Sequence, residues 1–351
     1  MWQRFLLSFS IVALVAIGGP YLFVLAVDPL GVSPLRVVSP EHYVRTNRRF
    51  IVPQIIRGGR YDSFLVGTST INPIDPAWAE RAFGGRFANV AIHGGTPYEL
   101  SRVVRLIAAQ GATTKRVILG FDIGWCSPGP LSRYHPEATF PDWLYDDDRL
   151  QHLAHLLNWK TVQLSERKVK VAMGRARPAF PPNGFKNELP PETRYDLAKA
   201  RATIHAAGTV TTIAAAGKTA AGPADTGDWP ALELLRQALA ALPADVAVIG
   251  AMMPSHVAVQ PVGGSPAATR LEDCKQRISG IVGPRGGPLV DFMLPSPWTR
   301  DDASYWDGVH FRTSVAAVFM ARLVEALGRS RAADDGVYRL VGSGDERTLR
   351  R

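Results

Sequence analysis

Cysteine is scarce in this chain, with Cys126 and Cys274 as its two examples among 351 residues. The sequence contains no CxxC pair and no cluster of cysteine with histidine, which argues against a structural metal site. Zinc-finger spacing, a P-loop and an RNP-like motif are also absent, so we expect no nucleic-acid partner. The two cysteines are compatible with a disulfide in an oxidising compartment, although two separate buried thiols are the plainer interpretation.

Acidic residues are fewer than basic residues, and the formal net charge is +9. This balance favours anionic partners such as an acidic polymer or anionic lipid. Because 46% of the residues are hydrophobic and 20% are charged, most of the chain should fold. One basic run is most simply a solvated face, and alternatively binds an anionic glycan or lipid headgroup. Its members are Arg167, Lys168, Lys170, Arg175 and Arg177.

The amino-terminal region contains a long stretch without charge. It runs from Phe5 to Val27, 23 residues, which is enough to span a bilayer. Its length favours an uncleaved signal anchor, with Arg4 and the amino terminus inside. Residues 24–26 resemble a signal-peptidase site, so a cleaved signal peptide is the alternative, and a buried core helix is a third. In the first two cases the rest of the chain is exported.

Short apolar strands alternate with helices from residue 61 to residue 328, which predicts an α/β fold with a mostly parallel sheet. A stretch of different character, 124–229, interrupts this alternation and is interpreted as an inserted helical or loop cap. The strands are predicted at 64–66, 87–92, 117–121, 246–251 and 288–292. In such sheets, ligands bind at the carboxyl ends of the strands.

The predicted organisation therefore has four parts. Residues 1–30 form the anchor or signal peptide, and 31–60 form a juxtamembrane linker. Residues 61–328 form the domain that carries the insertion, and 329–351 form a flexible basic tail.

A glycine and three small hydroxyl residues follow the first predicted strand. In Gly67-Thr68-Ser69, the serine is either a nucleophile delivered at the strand end or the cap of the next helix. The G-x-S-x-G signature is absent around Ser69, which argues against the nucleophile elbow of α/β-hydrolases.

Two further blocks supply candidate partners for this serine. Asp307 and His310 form a D-x-x-H turn before the last helix, which is either the Asp–His half of a triad or a hydrogen-bonded loop pair. The block from Asn89 to Thr96 follows the second strand and contains Gly94.

The order of these three blocks resembles that of the SGNH (GDSL-like) hydrolase superfamily. The resemblance implies a three-layer sandwich of the SGNH or flavodoxin-like type, with Ser69 as nucleophile, His310 as base and Asp307 as its orienting group. It also implies an oxyanion hole that includes the N–H groups of Ser69 and Gly94. No metal and no organic cofactor are implied. The alternative for Gly94 is a tight strand-to-helix turn.

Two positions depart from the family pattern. Thr68 replaces the aspartate usual between the glycine and the serine, and Asp122 lies near the place of an oxyanion-hole asparagine. An ionised Asp122 would repel an oxyanion, whereas a protonated one, with a raised pKa, would donate a hydrogen bond. The alternative role for Asp122 is a cap at the end of the strand. Further residues expected to line the substrate site are Thr70, His93, His256 and Trp306.

A membrane segment followed by an early Gly-x-Ser and a late D-x-x-H is similar to one membrane-anchored branch of this superfamily. Its members act with a membrane-bound O-acyltransferase in D-alanyl transfer to teichoic acids or O-acetylation of exopolysaccharides such as alginate. This resemblance implies a single-pass protein of the bacterial inner membrane, with a periplasmic domain that moves an acyl group from a donor to a polysaccharide. The alternatives are a carbohydrate esterase and a non-catalytic glycan-binding or scaffold subunit of an export complex.

Overall fold

A computed structural model describes residues 2–127, 133–206 and 229–342. The chain divides into two compact units, one formed by 1–60 with 140–184 and the other by 61–139 with 185–351. The Ala/Gly/Thr-rich part of the predicted insertion, 207–228, and the last residues of the predicted tail, 343–351, lie outside the described residues.

The helices and strands of the described residues are numbered here in chain order. The helices are α1 (Trp2–Val27), α2 (Arg48–Arg57), α3 (Pro76–Phe83), α4 (Pro97–Ala108), α5 (Arg149–Leu156), α6 (Trp159–Ala172), α7 (Leu197–Ala206), α8 (Pro230–Ala240), α9 (Pro266–Val282) and α10 (Thr313–Arg329). The strands are β1 (Ser63–Val66), β2 (Phe87–Asn89), β3 (Arg116–Phe121), β4 (Ala247–Met252), β5 (Leu289–Asp291) and β6 (Arg339–Val341).

The first unit is helical and consists of α1, α2, α5 and α6 with their connections. Helix α1 is long and apolar enough to cross a membrane, and it alone meets that test in the described ranges. Helix α2 lies inside the predicted linker, where the Asn47 side chain accepts the Arg49 N–H and Ile51 and Ile55 are buried. The predicted insertion contributes α5 and α6 to this unit. Lys168, predicted on a solvated basic face, is buried.

The second unit contains one sheet of six strands among the residues described, in the order β2-β1-β3-β4-β5-β6. The first five strands are parallel, and β6 pairs antiparallel with β5. Strands β1, β2 and β5 are buried throughout, as expected for short apolar strands inside an α/β fold. The predicted α/β class with a mostly parallel sheet is confirmed.

Strand β6 corrects the prediction of a flexible tail after residue 328. Val341 pairs with Leu289, and the Arg339 Nε lies 2.9 Å from Asp291 Oδ2. Tyr338 is buried beside the strand. The short apolar stretch within this polar segment is enough to form an edge strand, because β5 already offers an unpaired edge.

Cys126 and Cys274 form a disulfide, so the expectation of two separate thiols was wrong. The bond joins the turn after β3 to helix α9 across a sequence separation of 148. Their Cα atoms lie 5.5 Å apart, a distance set by packing that sequence spacing does not reveal.

Reduction of this disulfide should lower the free energy of unfolding of the second unit by about 2–5 kcal/mol, because it frees a long loop in the unfolded chain. Urea unfolding with and without reductant measures the change. The Cys126→Ala/Cys274→Ala double variant is the control, and its midpoint should not respond to reductant. An equal response in both proteins would contradict the prediction.

Candidate active site

The candidate site lies at the carboxyl ends of the parallel strands. The chain reverses its winding direction between β1 and β3, and such a switch point is where open α/β sheets bind ligands. Ser69 follows β1 and Asp122 follows β3. The Ile92 N–H donates to the Gly67 carbonyl at 2.9 Å, so the chain leaving β2 stays beside the chain that leads to Ser69. Strand β2 ends at Asn89, earlier than predicted.

Ser69 lies in a turn and does not cap a helix. Helix α3 begins at Pro76 and is capped by the Asp75 side chain, which accepts the Ala77 N–H at 2.9 Å. The Ser69 Oγ lies 2.8 Å from His310 Nε2, and the serine is partly exposed. The cap alternative for Ser69 is therefore wrong, and its hydroxyl is in hydrogen-bonding contact with an imidazole.

Asn89, which the sequence analysis did not assign, supports the turn after Ser69. Its buried Nδ2 donates to the carbonyls of Ile71, Asn72 and Ile74 at 3.3, 3.2 and 3.0 Å. A buried asparagine at the end of an apolar strand was the available signal, because such a side chain requires partners.

Asp307 and His310 form a tight pair in the loop before α10. His310 Nδ1 lies 2.8 Å from Asp307 Oδ2, while Asp307 Oδ1 accepts the backbone N–H groups of Val309 and His310, each at 2.8 Å. The carboxylate is thereby held in one orientation. With Nδ1–H donating to Asp307, Nε2 is left as the acceptor that faces Ser69.

The electrostatics of this pair favour a charged imidazole. Burial opposes ionisation of Asp307, but the hydrogen bonds from His310 outweigh it and hold the pKa of that carboxyl below its usual value. The hydrogen bond to Asp307 raises the pKa of His310, against the effect of burial. The arrangement therefore stabilises the imidazolium that forms when His310 takes a proton.

Turnover by this site should fall as the solution becomes acidic. His310 accepts a proton only when neutral, and its pKa is raised above the ordinary 6.5, so kcat/KM should rise with pH through a midpoint above 6.5. A pH–rate profile between about pH 5 and 9 measures this midpoint. A flat profile, or a midpoint below 6.5, would count against the assignment of His310 as the base.

The loop that carries the pair is anchored in the core. Tyr305 and Phe311 form an antiparallel bridge and are both buried. The backbone N–H of Trp306 donates to the His310 carbonyl at 2.8 Å. The two buried rings thus fix both ends of the loop, and the polar pair projects from it.

Gly308 sets the position of this loop from the other side. The backbone N–H of His256 donates to the Gly308 carbonyl at 2.9 Å. A β-carbon on Gly308 would overlap the Val259 side chain. The D-x-x-H spacing gave no indication of this contact, because Val259 lies on a distant segment of the chain.

Gly308→Ala should reduce kcat/KM by about 100-fold, since a displacement near 1 Å misaligns the pair with Ser69. Hydrolysis of an activated acyl ester measures the loss. Gly328→Ala, at a glycine of α10 where an added β-carbon would meet no atom within 4 Å, is the matched control and should keep wild-type activity. Equal activities of the two variants would contradict the proposed role of Gly308.

His256 supports the loop and does not line an open cleft, contrary to the sequence prediction. Its side chain is buried, its Nδ1 accepts the Ala258 N–H at 3.1 Å, and its Nε2 lies 3.2 Å from Asp302 Oδ1. Burial lowers the pKa of His256 despite the nearby carboxylate.

Asp122 has the role that was its alternative in the sequence analysis, a cap at the end of a strand. Its Oδ1 accepts the Gly124 N–H at 2.9 Å and its Oδ2 accepts the Thr68 hydroxyl at 2.8 Å. Burial raises the pKa of Asp122 despite these two donors. Thr68 and Asp122, the two positions at which the sequence departs from the pattern it resembles, are therefore hydrogen-bonded to each other. Thr70 is buried, with its hydroxyl 3.3 Å from that of Thr68.

Gly94 has a positive φ of 56°, so it also serves the tight turn that was its alternative role. His135, which the sequence analysis did not single out, packs directly on it. A β-carbon on Gly94 would lie 2.7 Å from His135 Cδ2 and 2.9 Å from Nε2. The backbone N–H of His135 donates to Glu99 Oε1 at 3.2 Å, and its ring Nδ1 accepts the backbone N–H of Glu137 at 3.1 Å.

The other two predicted lining residues are partly exposed. His93 Nε2 lies 3.0 Å from Glu188 Oε2. Trp306 meets Tyr195 edge-to-face, with ring centroids 5.2 Å apart. Trp306 directly precedes Asp307, which places its indole next in sequence to the polar pair.

No protein-family model matches this chain, and no curated protein matches it in a search. The chemistry assigned to the site therefore depends on the geometry of its residues.

Proposed function

We propose that this chain is an exported, membrane-tethered serine acyl-ester enzyme of the SGNH type, which transfers an acyl group to a polysaccharide. One observation carries the proposal. Ser69 Oγ lies 2.8 Å from His310 Nε2, and His310 Nδ1 lies 2.8 Å from Asp307 Oδ2. A serine, an imidazole and a carboxylate joined in this order are the groups that nucleophilic acyl transfer requires.

In the proposed reaction, His310 Nε2 takes the proton of Ser69 Oγ as that oxygen attacks the carbonyl carbon of an acyl ester. Asp307 holds the Nδ1–H and stabilises the imidazolium. The bond from the acyl carbon to the alkoxide oxygen then breaks, and the proton passes from His310 to that oxygen. The alkoxide leaves as an alcohol, and the acyl group remains on Ser69 Oγ. A sugar hydroxyl next gives its proton to His310 and attacks the acyl carbon, which releases Ser69 with its proton restored.

The oxyanion would be held by the N–H groups of Ser69 and Gly94. Asp122 is engaged with Thr68 and Gly124, so the proposal assigns it a structural role at the edge of the site. Asp122 then supplies no third donor to the oxyanion. Loss of one oxyanion donor typically raises the activation barrier by about 2.7–4 kcal/mol. We therefore expect a slow enzyme, suited to modification of a polymer already at the membrane.

The location is also part of the proposal. Helix α1 would anchor the chain in a bacterial inner membrane with the second unit in the periplasm. The disulfide agrees with an oxidising compartment, and the net charge of +9 suits an acidic polymer. The acyl donor would arrive through a membrane-bound O-acyltransferase. The three-layer sandwich of the SGNH superfamily belongs to the same proposal.

The test uses the purified full-length chain, p-nitrophenyl acetate as acyl donor and an acidic oligosaccharide as acceptor. Transfer predicts an acetylated oligosaccharide and a transient acetyl adduct on Ser69, both absent in Ser69→Ala. Release of acetate without acetylated oligosaccharide would identify an esterase. The absence of turnover and adduct in folded protein would reject the enzyme and favour a scaffold subunit.

A further inference from the structure

The exposed apolar length of α1 matches the thickness of a membrane. Most side chains from Phe5 to Phe23 are exposed, whereas Val24, Leu25 and Val27 are buried in the first unit. The 19 residues from Phe5 to Phe23 span about 28 Å at the helical rise of about 1.5 Å per residue. The hydrocarbon core of a bilayer is about 30 Å thick. A membrane crossed by α1 would therefore end near Phe23.

Helix α5 lies at the same level. The Tyr21 hydroxyl donates to the Leu153 carbonyl at 3.1 Å. Tyr21 is two residues before Phe23, so α5 would touch α1 within about 3 Å, measured along the helix axis, of the inferred membrane boundary. Tyrosine is enriched at this depth, because its ring is apolar and its hydroxyl is polar.

Three large apolar side chains are exposed on the hairpin formed by α5 and α6. Leu150, Leu157 and Trp159 are 80%, 57% and 71% exposed. Leu150 lies in the first turn of α5 and Leu157 directly follows its last residue, so the two exposed leucines lie on either side of Leu153 along the chain. Large apolar side chains exposed this close together along the chain indicate an interaction surface.

Helix α6 is held against the end of α1 and presents basic groups outward. The buried Lys168 Nζ donates to the Asp28 carbonyl at 2.6 Å, directly after the last residue of α1. Lys160, Arg167 and Lys170 are exposed on α6. Tryptophan beside lysine and arginine suits the boundary between acyl chains and anionic headgroups.

We propose that the α5–α6 hairpin, residues 149–172, lies in the surface of the bilayer beside α1. Leu150, Leu157 and Trp159 enter the boundary of the acyl chains, while Lys160 and Arg167 face anionic headgroups. The inference rests on the proposed membrane insertion of α1, and it does not depend on the chemistry of the triad. It predicts that the first unit binds the membrane through the α5–α6 hairpin as well as through α1.

The test uses the full-length chain in vesicles of phosphatidylcholine and phosphatidylglycerol. Because Cys126 and Cys274 are joined in the disulfide, a single added cysteine can carry an environment-sensitive fluorophore. Leu157→Cys tests the hairpin, Ile11→Cys reports on α1, and Val262→Cys is a matched exposed apolar position, 62% exposed, in the second unit.

We expect the labels at 11 and 157 to show blue-shifted emission and to be quenched by spin-labelled lipid. The label at 262 should show neither effect. A label at 157 that behaves like the label at 262, while the label at 11 is quenched, would overturn the inference and leave the anchor standing. An unquenched label at 11 would reject both the anchor and the inference. Equal quenching at all three positions would mean unspecific adsorption and would also overturn it.

Discussion

Ser69→Ala is expected to reduce turnover of an acyl ester by about 10⁴-fold or more, because it removes the atom that forms the acyl intermediate. The Ser69 Oγ is the partner of His310 Nε2 at 2.8 Å, so the substitution leaves the base without a proton to take. Steady-state hydrolysis of p-nitrophenyl acetate by the full-length chain measures the loss.

Ser314→Ala is the matched control for this prediction. Ser314 is an exposed serine of α10, and its replacement should leave turnover at the wild-type level. His310→Ala should lose nearly as much activity as Ser69→Ala, and the double variant little more, since members of a triad act as a unit. Substantial turnover by folded Ser69→Ala would mean that another group carries the reaction.

Asp307→Asn is expected to reduce kcat by about 10⁴-fold while the loop keeps its shape. The amide preserves the volume of the side chain and an oxygen to accept the N–H groups of Val309 and His310. It lacks the charge that raises the pKa of His310 and holds Nδ1–H in place. The steady-state kcat checks the prediction, and single-turnover acylation then isolates the first of the two steps in which His310 takes a proton.

Asp245→Asn, at an exposed position before β4, is the control for removal of one negative charge and should have no effect on kcat. A loss of less than tenfold in Asp307→Asn, with native circular dichroism, would assign Asp307 to loop stability alone. The D-x-x-H turn would then be a hydrogen-bonded loop pair, the alternative given in the sequence analysis.

The strands and helices were predictable where an apolar run is bounded by residues that begin or end such elements, such as proline and glycine. Helix α3 has such boundary residues, because a proline begins it and two glycines follow it. Strand β2 was predicted too long, since residues 90–92 remain buried and hydrogen-bonded without belonging to the strand. Strand β6 was missed because its few apolar residues lie in a polar segment.

The Asp307–His310 pair was predictable because it is local, with both side chains in one turn. Its contact with Ser69 spans 241 positions. That contact was expected from the order of the three sequence blocks, together with the rule that sites lie at the carboxyl ends of parallel strands. The contacts of Gly308 with Val259 and of Gly94 with His135 were not predictable, because they depend on how distant loops pack. The disulfide belongs to the same class.

The most direct test of the central claim is covalent labelling of the full-length chain with a serine-directed fluorophosphonate, read by intact mass and peptide mapping. The account predicts a single adduct, on the peptide that contains Ser69, and its loss in His310→Ala. Folded protein that takes up no label, or takes it up at another serine, would contradict an activated Ser69.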